Sequence, residues 1–563
     1  MILSVAILTL PVSAEEAEEN KDVWNDYGDY TLREDRTYRG FLNSEPTSLD
    51  PGRASDNYSI TILFNIGEPL VLLHNDKDGN AEFLAGGATW EISEDGTVYT
   101  FHLRDNKWWD GEPVTAEQYA YGILRTLNPE TGSPYSYLLE PILNAAKYLE
   151  QGASEEEIPE DEKVKEEDLG VKVIDEKTLE ITLEAPTATF LEVCGNPIMH
   201  ALREDYIEKY AEQYGTDADK VMGNGPFKVS EWTHNNKIVL EKADTYWNAE
   251  NVFYDKIEDS IMSETNTIMN AFDVGEIYSA GVSSAEWKER FAARDDIEYK
   301  EIGQPGTFFM MFNTNDPDEI FTNAKVRRAF SACLDREEIN DVIWYGNFLP
   351  AMGWVAPAIN VGSINYRETA PNFVEKLRED VEDPKALLDE GLTELGKEDL
   401  IDNLEVTITL GGTDQWFKDF GEYFQQVMME ELNVNLRVDQ QEWTVFSSRK
   451  DQGDYQIGYM AWGSELSEPN ALLLIHVDGS GQVGTQWNNE EYNELIRKAQ
   501  IEQDEEKRFE IYQAAEEILM EEAPVAPVVH PVANQYYYSF VKNQDWHVFS
   551  NMGSRQGFLV EEE

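Results

Sequence analysis

Apolar and polar residues alternate along this chain with two periods, one typical of strands and one typical of helices. Residues 97–103 alternate as a strand does, and Thr115 begins a helix that runs to about Leu127, with Gln118 at capping-box spacing. Residues 308–312 are an uninterrupted apolar run, which predicts a buried central strand.

The C-terminal half repeats this alternation over a long stretch. Its pattern predicts helices at 323–334, 384–395 and 417–431, and strands at 404–410, 434–438 and 455–462. Strands that alternate with helices are the pattern of an α/β fold. At 563 residues, the chain is long enough for several lobes.

The charge balance narrows the class of partner. Lys and Arg number 44 against 110 Asp and Glu, which gives a net charge of −66. A phosphate backbone and an anionic membrane surface both need a basic face, so nucleic acid and such a membrane are excluded as partners. We interpret the acid surplus as a solvated, self-repelling surface, and we expect a monomer.

The N-terminus predicts export. Residues 1–14 are mostly apolar and end in Val12-Ser-Ala, which is similar to a signal-peptide cleavage site, although no basic residue precedes Lys21. We interpret residues 1–14 as a signal-peptide remnant and residues 15–36 as an acidic, flexible segment. The protein is therefore expected in the periplasm, at the cell surface or outside the cell.

Motifs for catalysis and metal binding are missing from the sequence. It has no Walker A motif, no G-x-S-x-G, no H-E-x-x-H and no C-x-x-C. Its two cysteines, Cys194 and Cys333, allow at most one disulfide. The helical pattern around Cys333 favours a buried free thiol instead. We expect no metal, no cofactor and no enzymatic activity. A secreted carboxylate-dependent hydrolase is the alternative from another functional class. With 110 carboxylates in the chain, some pair could always be nominated as its catalytic acid and base.

One segment combines a strand end with aromatic and acidic side chains. Residues 454–470 predict a strand that ends near Trp462 and continues into a loop with Glu465 and Glu468. Ligands of open α/β sheets sit at the carboxyl ends of strands, and aromatic walls with a few charges are typical of ligand pockets. A carboxylate in this loop suits a cationic group, such as the α-amine of a peptide.

Five motifs occur in order between about Tyr38 and the C-terminus. They are Glu45-Pro-Thr-Ser-Leu-Asp-Pro, Asp95-Gly-Thr-Val-Tyr-Thr-Phe-His-Leu-Arg with Trp109-Asp-Gly-Glu-Pro-Val-Thr-Ala-Glu, Gly223-Asn-Gly-Pro-Phe-Lys, Val326-Arg-Arg-Ala-Phe-Ser-Ala-Cys-Leu-Asp-Arg, and Glu522-Ala-Pro-Val-Ala-Pro. With this set the chain resembles the extracellular solute-binding proteins of ABC transporters, family 5, which are of the oligopeptide-, dipeptide- and nickel-binding type. Most of these motifs mark the fold rather than the ligand.

The resemblance implies an α/β fold of the periplasmic-binding-protein type (type II, cluster C), with two main lobes joined by a hinge and an extra inserted lobe. Lobe I would comprise residues 37–66, 190–304 and 525–563, lobe II residues 67–189, and lobe III residues 305–524. The hinge would lie near Gly306 and Pro524, and ligand would be buried between lobes I and III as they close.

The resemblance also implies roles for single residues. Glu465 takes the place of an aspartate that holds the ligand's α-amine in peptide binders. Trp443 and Trp462 stand at the spacing of pocket tryptophans, and Lys450 stands where some members have a basic pocket residue. Tyr459 falls where some members have an arginine that reads the peptide's carboxylate.

In lobe I, the loop at Arg53, Ala54 and Ser55 would offer main-chain hydrogen bonds to an extended peptide. The implied function is capture of oligopeptides outside the cytoplasm and their delivery to an ABC permease and its ATPase subunits. The tryptophans, together with the missing arginine, leave an oligosaccharide or another solute on the same fold as an alternative.

Overall fold

The computed structural model describes residues 30–75, 81–153, 159, 163–316, 318–413, 415–464, 466–479 and 483–561. The predicted signal-peptide remnant at 1–14 lies outside the described residues. The chain divides into two compact units, of which the second is Glu301–Asn534 and the first holds the chain before and after it. The chain therefore passes between the units twice.

The first unit is built from short strands and helices. Its strands before the first crossing are β1 (Thr37–Leu42), β2 (Val71–Asn75), β3 (Ala81–Ala85), β4 (Ala88–Ile92), β5 (Val98–Leu103), β6 (Val171–Asp175), β7 (Thr178–Thr182), β8 (Phe227–Thr233), β9 (Lys237–Lys242), β10 (Lys256–Ile261) and β11 (Ser279–Gly281). Its helices are α1 (Asn57–Ile66), α2 (Ala116–Leu127), α3 (Ala145–Ala153), α4 (Phe190–Val193), α5 (Glu204–Tyr210), α6 (Thr265–Asp273) and α7 (Ala285–Ala292).

Two four-stranded sheets organise the first unit. One has the order β1-β10-β9-β8, with β1 parallel to β10, and the other has the antiparallel order β4-β5-β7-β6. The first sheet packs on a core that includes Phe227, Leu240 and Phe272. Alternate residues of β5 are buried, as the spacing of residues 97–103 predicted.

The second unit continues the chain with longer helices. After β12 (Ile297–Gly303), its strands are β13 (Gly306–Phe312), β14 (Leu349–Pro350), β15 (Asn360–Val361), β16 (Ile364–Asn365), β17 (Glu405–Leu410), β18 (Asn435–Gln440), β19 (Ile457–Gly463) and β20 (Val525–His530). Its helices are α8 (Ala324–Ala332), α9 (Arg336–Ile343), α10 (Tyr366–Thr369), α11 (Phe373–Asp380), α12 (Pro384–Glu394), α13 (Gln415–Leu432), α14 (Trp443–Asp451), α15 (Asn470–Leu473), α16 (Glu490–Ile501) and α17 (Glu505–Glu522). The chain then returns through β21 (Val532–Tyr538), β22 (Val541–Lys542) and β23 (Phe558–Leu559).

A six-stranded sheet in the order β14-β20-β13-β19-β17-β18 forms the centre of the second unit. Strand β13 lies in its interior, and Phe309 and Phe312 are fully buried, so the apolar run at 308–312 is confirmed as a buried central strand. Phe330 and Phe420 belong to the hydrophobic core that packs against the strands of this sheet. The predicted alternation of strands and helices over 404–462 is confirmed by β17, α13, β18, α14 and β19.

The end of the second unit differs from the expected end of lobe III. Lobe III was expected to stop at residue 524, whereas the second unit extends to Asn534. The reason is β20, which pairs with β13 and β14. Ladder hydrogen bonds therefore hold residues 525–530 in the sheet of the second unit.

Candidate functional site

The carboxyl edge of the six-stranded sheet is the candidate binding site of the second unit. Strands β17, β18 and β19 are parallel, and β13 is antiparallel to β19, with Gly306 opposite Gly463. The loops that follow β17, β18 and β19 therefore open at the same edge. This is the place at which open α/β sheets bind ligands.

Trp443 stands at this edge with an exposed indole. It begins α14 shortly after β18, and 52% of it is exposed. Its ring lies 5.6 Å from Phe446, and a Cβ added at Gly411 would lie 2.7 Å from the indole. The indole of Trp443 therefore packs directly against the backbone of Gly411, where any side chain would clash. The sequence marks Gly411 only as a turn residue. A tryptophan that is fixed by contacts on one side and exposed on the other is suited to contact a ligand.

Trp462 reaches the same edge from β19. It is half-buried and stands opposite Thr307 in β13. The Thr307 hydroxyl donates to the Trp354 carbonyl over 2.8 Å and lies 3.0 Å from His530 Nδ1. Burial lowers the pKa of His530 to about 3, so this histidine is neutral and supports the strand without adding charge.

The loop after β19 is anchored at both ends of its described part. Ser464 donates its N–H to the Pro305 carbonyl over 2.7 Å. Glu468 is buried and accepts from Arg508 Nη2 over 2.9 Å and from the Gly362 N–H over 3.2 Å. Burial raises the pKa of Glu468, while Arg508 favours the charged form. Glu468 is therefore committed to Arg508, and Glu465, the predicted amine anchor, lies outside the described residues.

Tyr459 points into the core and away from the open edge. It is 3% exposed, and its ring lies 4.2 Å from Phe420 and 6.3 Å from Phe308. Its hydroxyl has no hydrogen-bond partner among the described residues. The sequence pattern does not reveal this burial, because a tyrosine within a strand suits a pocket and a core equally well.

Lys450 lies at the other end of helix α14 from Trp443. It is 7% exposed, and its Nζ is 2.8 Å from Asp451 Oδ1. A Cβ at Gly484 would meet the Lys450 stem, so this side chain packs beneath the loop at 483–485. The structure therefore does not bring Lys450 to the carboxyl edge.

The loop at Ala54 belongs to the first unit and is tied down by its own contacts. The Ala54 N–H donates to the Asp50 carbonyl over 2.9 Å, and Arg125 makes two 2.7 Å hydrogen bonds to the Asp50 carboxylate. Ser55 is exposed, and its carbonyl accepts from the Tyr135 hydroxyl over 3.3 Å. Of these two predicted binding residues, Ser55 is the more accessible.

The described part of the chain holds no metal-binding group and no disulfide. No group of three or more His, Cys, Asp or Glu residues there is arranged to hold a metal ion. Cys194 and Cys333 are both buried free thiols, and burial raises the pKa of each. None of the helices in the described ranges combines the length and apolar character of a membrane span.

Comparisons with known proteins agree with this architecture. The family model "Bacterial extracellular solute-binding proteins, family 5 Middle" matches residues 85–483. The dipeptide-binding protein DppE of Bacillus subtilis (strain 168) is 32% identical over 504 residues, 89% of this chain and 87% of that protein. The oligopeptide-binding protein OppA of the same organism is 30% identical over 511 residues, 90% and 88% of the two chains.

The crystal structure of the substrate-binding domain of an oligopeptide ABC transporter from Bacillus anthracis str. Ames is also similar. It has a TM-score of 0.66 and 26% identity, and the match covers 94% of this chain and all of that one. Fold and comparisons together define a solute-binding protein with the α/β fold of the periplasmic binding proteins. The chain belongs to the bacterial extracellular solute-binding proteins of family 5.

Proposed function

We propose that this protein captures oligopeptides outside the cytoplasm as the binding component of an ABC importer. The observation that carries the proposal is the match, over 89% and 90% of the chain, to one relative named for dipeptide binding and another named for oligopeptide binding. Both matches also cover most of each relative, 87% and 88% of their lengths, which supports a shared binding role for the whole chain.

The partners in this proposal are an ABC permease and its ATPase subunits, to which the loaded protein delivers peptide. The structural relative from Bacillus anthracis is itself described as part of an oligopeptide ABC transporter. The protein acts as an exported monomer and performs no reaction on its ligand. Membership in a family described as extracellular solute-binding proteins supports export and a binding role.

The ligand contacts in this proposal come from the carboxyl edge of the second unit. Trp443 and Trp462 offer aromatic surface there, and the exposed strand end at Ala461 and Gly463 offers main-chain groups to an extended peptide. Glu465 holds the α-amine. Tyr459 and Lys450 are both buried. In this proposal they support the fold around the site and do not contact the peptide directly.

An oligosaccharide is the second candidate for the cargo. The specific observation in its favour is the exposed indole of Trp443, because sugars stack on aromatic faces. The buried Tyr459, in a position where an arginine would read a peptide's carboxylate, favours the same alternative.

Calorimetric titration with a mixed tripeptide library tests the edge directly. We expect Trp443→Ala to weaken peptide binding about tenfold, since an aromatic contact contributes roughly 1.5 kcal/mol beyond its area. Tyr299→Ala is the matched control, because Tyr299 is 48% exposed and lies in the first unit. Equal affinities for the two variants would place the binding site elsewhere, and titration with a maltooligosaccharide instead would reveal the second candidate.

A further inference from the structure

His234 lies in the turn between β8 and β9, with a carboxylate at each of its two ring nitrogens. Its Nδ1 is in hydrogen-bond contact with Glu45 Oε1, and its Nε2 lies 3.1 Å from Asp217 Oδ1. Glu45 follows β1, and Asp217 belongs to the loop that leads to β8. Three segments of the first unit that are distant in the chain therefore meet at one imidazole. We call these three residues the histidine clasp.

Only the protonated imidazole can bind both carboxylates of the histidine clasp. An ionised carboxylate accepts hydrogen bonds and cannot donate them, so each ring nitrogen must carry a proton if both contacts are hydrogen bonds. Neutral histidine has a single N–H and would turn a lone pair toward the second carboxylate. The two contacts therefore indicate an imidazolium, and loss of its proton replaces one attraction by a repulsion.

The other charged groups close to His234 are paired in other directions. Lys220 Nζ donates to Asp217 Oδ2 over 2.8 Å, so it occupies the oxygen that the imidazole does not use. Hydrogen bonds from Lys220 and His234 lower the pKa of Asp217 to about 2, which keeps this carboxylate ionised in the neutral range. On the hairpin of β8 and β9, Glu231 and Lys237 form an ion pair with each other at 3.1 Å.

The Glu45 carboxylate is also fixed by neighbours of the histidine. Its Oε1 accepts from Trp232 Nε1 over 2.9 Å, and its Oε2 accepts from the Asn235 N–H over 3.0 Å. The Trp232 ring lies 4.9 Å from the imidazole. The hairpin therefore holds Glu45 beside the turn, and protonated His234 completes the bridge from Glu45 to Asp217.

The histidine clasp is bonded to the segments on both sides of the loop at residues 53–55, which the sequence predicts to contact peptide. Two residues after the glutamate of the clasp, Thr47 donates from its N–H and its hydroxyl to Asp56 Oδ2, over 3.3 Å and 2.5 Å. Two residues before the aspartate of the clasp, the Gly215 carbonyl accepts from the Leu49 N–H over 2.8 Å. Both carboxylates of the clasp are therefore one short step of hydrogen bonds from this loop.

We propose that the histidine clasp is a pH-sensitive device that holds the loop at residues 53–55 in place for peptide, closed when His234 is protonated and open when it is neutral. This inference rests on the proposed function, because it concerns affinity for peptide. Hydrogen bonds to Asp217 and Glu45 raise the pKa of His234. The clasp therefore stabilises the loop fully below the ordinary histidine pKa of about 6.5, and this stabilisation is lost as pH rises through the raised pKa.

Carbon-13 NMR of the full chain, labelled in its histidine side chains, tests the clasp without peptide. His234 should titrate above the ordinary histidine value of about 6.5, and its signal is assigned by its absence from His234→Gln. Asp217→Asn should lower this pKa, whereas Asp219→Asn, at an exposed position of the same loop, should leave it nearly unchanged. A His234 pKa at or below the ordinary value, or equal effects of the two aspartate variants, would overturn the proposal.

Titration with a tripeptide at several pH values tests the effect on the ligand. The wild type should bind about fivefold more tightly than His234→Gln at about pH 6 and equally at about pH 9. The effect is moderate because the Arg125–Asp50 pair also anchors this loop. The ratio of the two affinities cancels the titration of the peptide's own α-amine near pH 8.

A ratio of affinities that does not change with pH would contradict control of the loop by the histidine clasp. Absence of peptide binding in both proteins at every pH would instead overturn the proposed function. The two failures are therefore distinguishable.

Discussion

At the scale of single residues, Asp259 shows what burial does to a charge. It lies in β10 opposite Gly40, is 8% exposed, and its carboxyl group has no hydrogen-bond partner among the described residues. A Cβ at Gly40 would lie 2.3 Å from Asp259 Oδ1, so the glycine makes room for the carboxyl group. Burial raises the pKa of Asp259 to about 7.

This raised pKa predicts a loss of stability as pH increases. Between about pH 4 and pH 7 the unfolded chain ionises Asp259 while the folded chain keeps it protonated, so its contribution to the free energy of unfolding falls by a few kcal/mol. We expect Asp259→Asn to gain stability relative to the wild type as pH rises from about 4 to about 7 in urea unfolding. Asp244→Asn, at an exposed position of the same unit, should follow the wild type. A parallel pH dependence of Asp259→Asn and the wild type would show that Asp259 ionises normally.

Glu465 carries the sharpest prediction about the ligand. If it holds the α-amine, Glu465→Gln should weaken peptide binding by about 1.5–3 kcal/mol, the range for a charge-assisted hydrogen bond. Calorimetry should show the loss for peptides with a free α-amine and not for N-acetylated ones. Unchanged affinity for free peptides would remove this anchor and leave the family membership intact.

At the scale of elements, Gln118 joins two local structures. Thr115 and Gln118 form the capping box of α2, and Gln118 Oε1 accepts from Thr115 N and from Trp108 Nε1, each over 2.9 Å. Trp108 is fully buried, so its indole N–H has no access to water. The sequence spacing predicted the capping box, while the link to Trp108 appears only in the fold.

Removal of the Gln118 side chain should therefore lower the free energy of unfolding more than removal of the Thr115 side chain. We expect Gln118→Ala to lower the free energy of unfolding by about 2–4 kcal/mol, since it breaks two hydrogen bonds and leaves a buried donor unpaired. Thr115→Ala should cost about 1 kcal/mol. Gln118→Glu retains an acceptor and should recover most of the loss in urea unfolding. Equal effects of Gln118→Ala and Thr115→Ala would contradict a role for the Trp108 bond.

Elements were predictable from the sequence where their signal is local. The buried run of β13 and the alternation of β5 both follow from the spacing of apolar residues. The membership of β20 in the sheet of the second unit does not, because strand pairing depends on residues far apart in the chain. The resemblance implied ligand roles for Tyr459 and Lys450. The structure shows Tyr459 in the core and Lys450 at the far end of α14, and this burial also depends on residues far apart in the chain.

At the scale of the whole molecule, the net charge of −66 predicts that salt stabilises the fold. Repulsion among carboxylates favours the unfolded chain and is screened within a Debye length of about 10 Å at 0.1 M salt. Exposed ion pairs contribute little, so their loss in salt does not offset this gain. We expect the melting temperature to rise with NaCl concentration, and calorimetric scans in a salt series would measure it. A melting temperature that falls with salt would show that attractive pairs dominate.

The central claim is that the protein carries peptides, and native mass spectrometry of the purified full chain tests it most directly. Protein isolated from an expressing cell should carry a ladder of bound masses that match peptides and that disappear after unfolding and refolding. Added tripeptides should then restore the bound state. A ladder spaced by hexose units, or an empty protein that ignores added peptides, would contradict the account of the cargo.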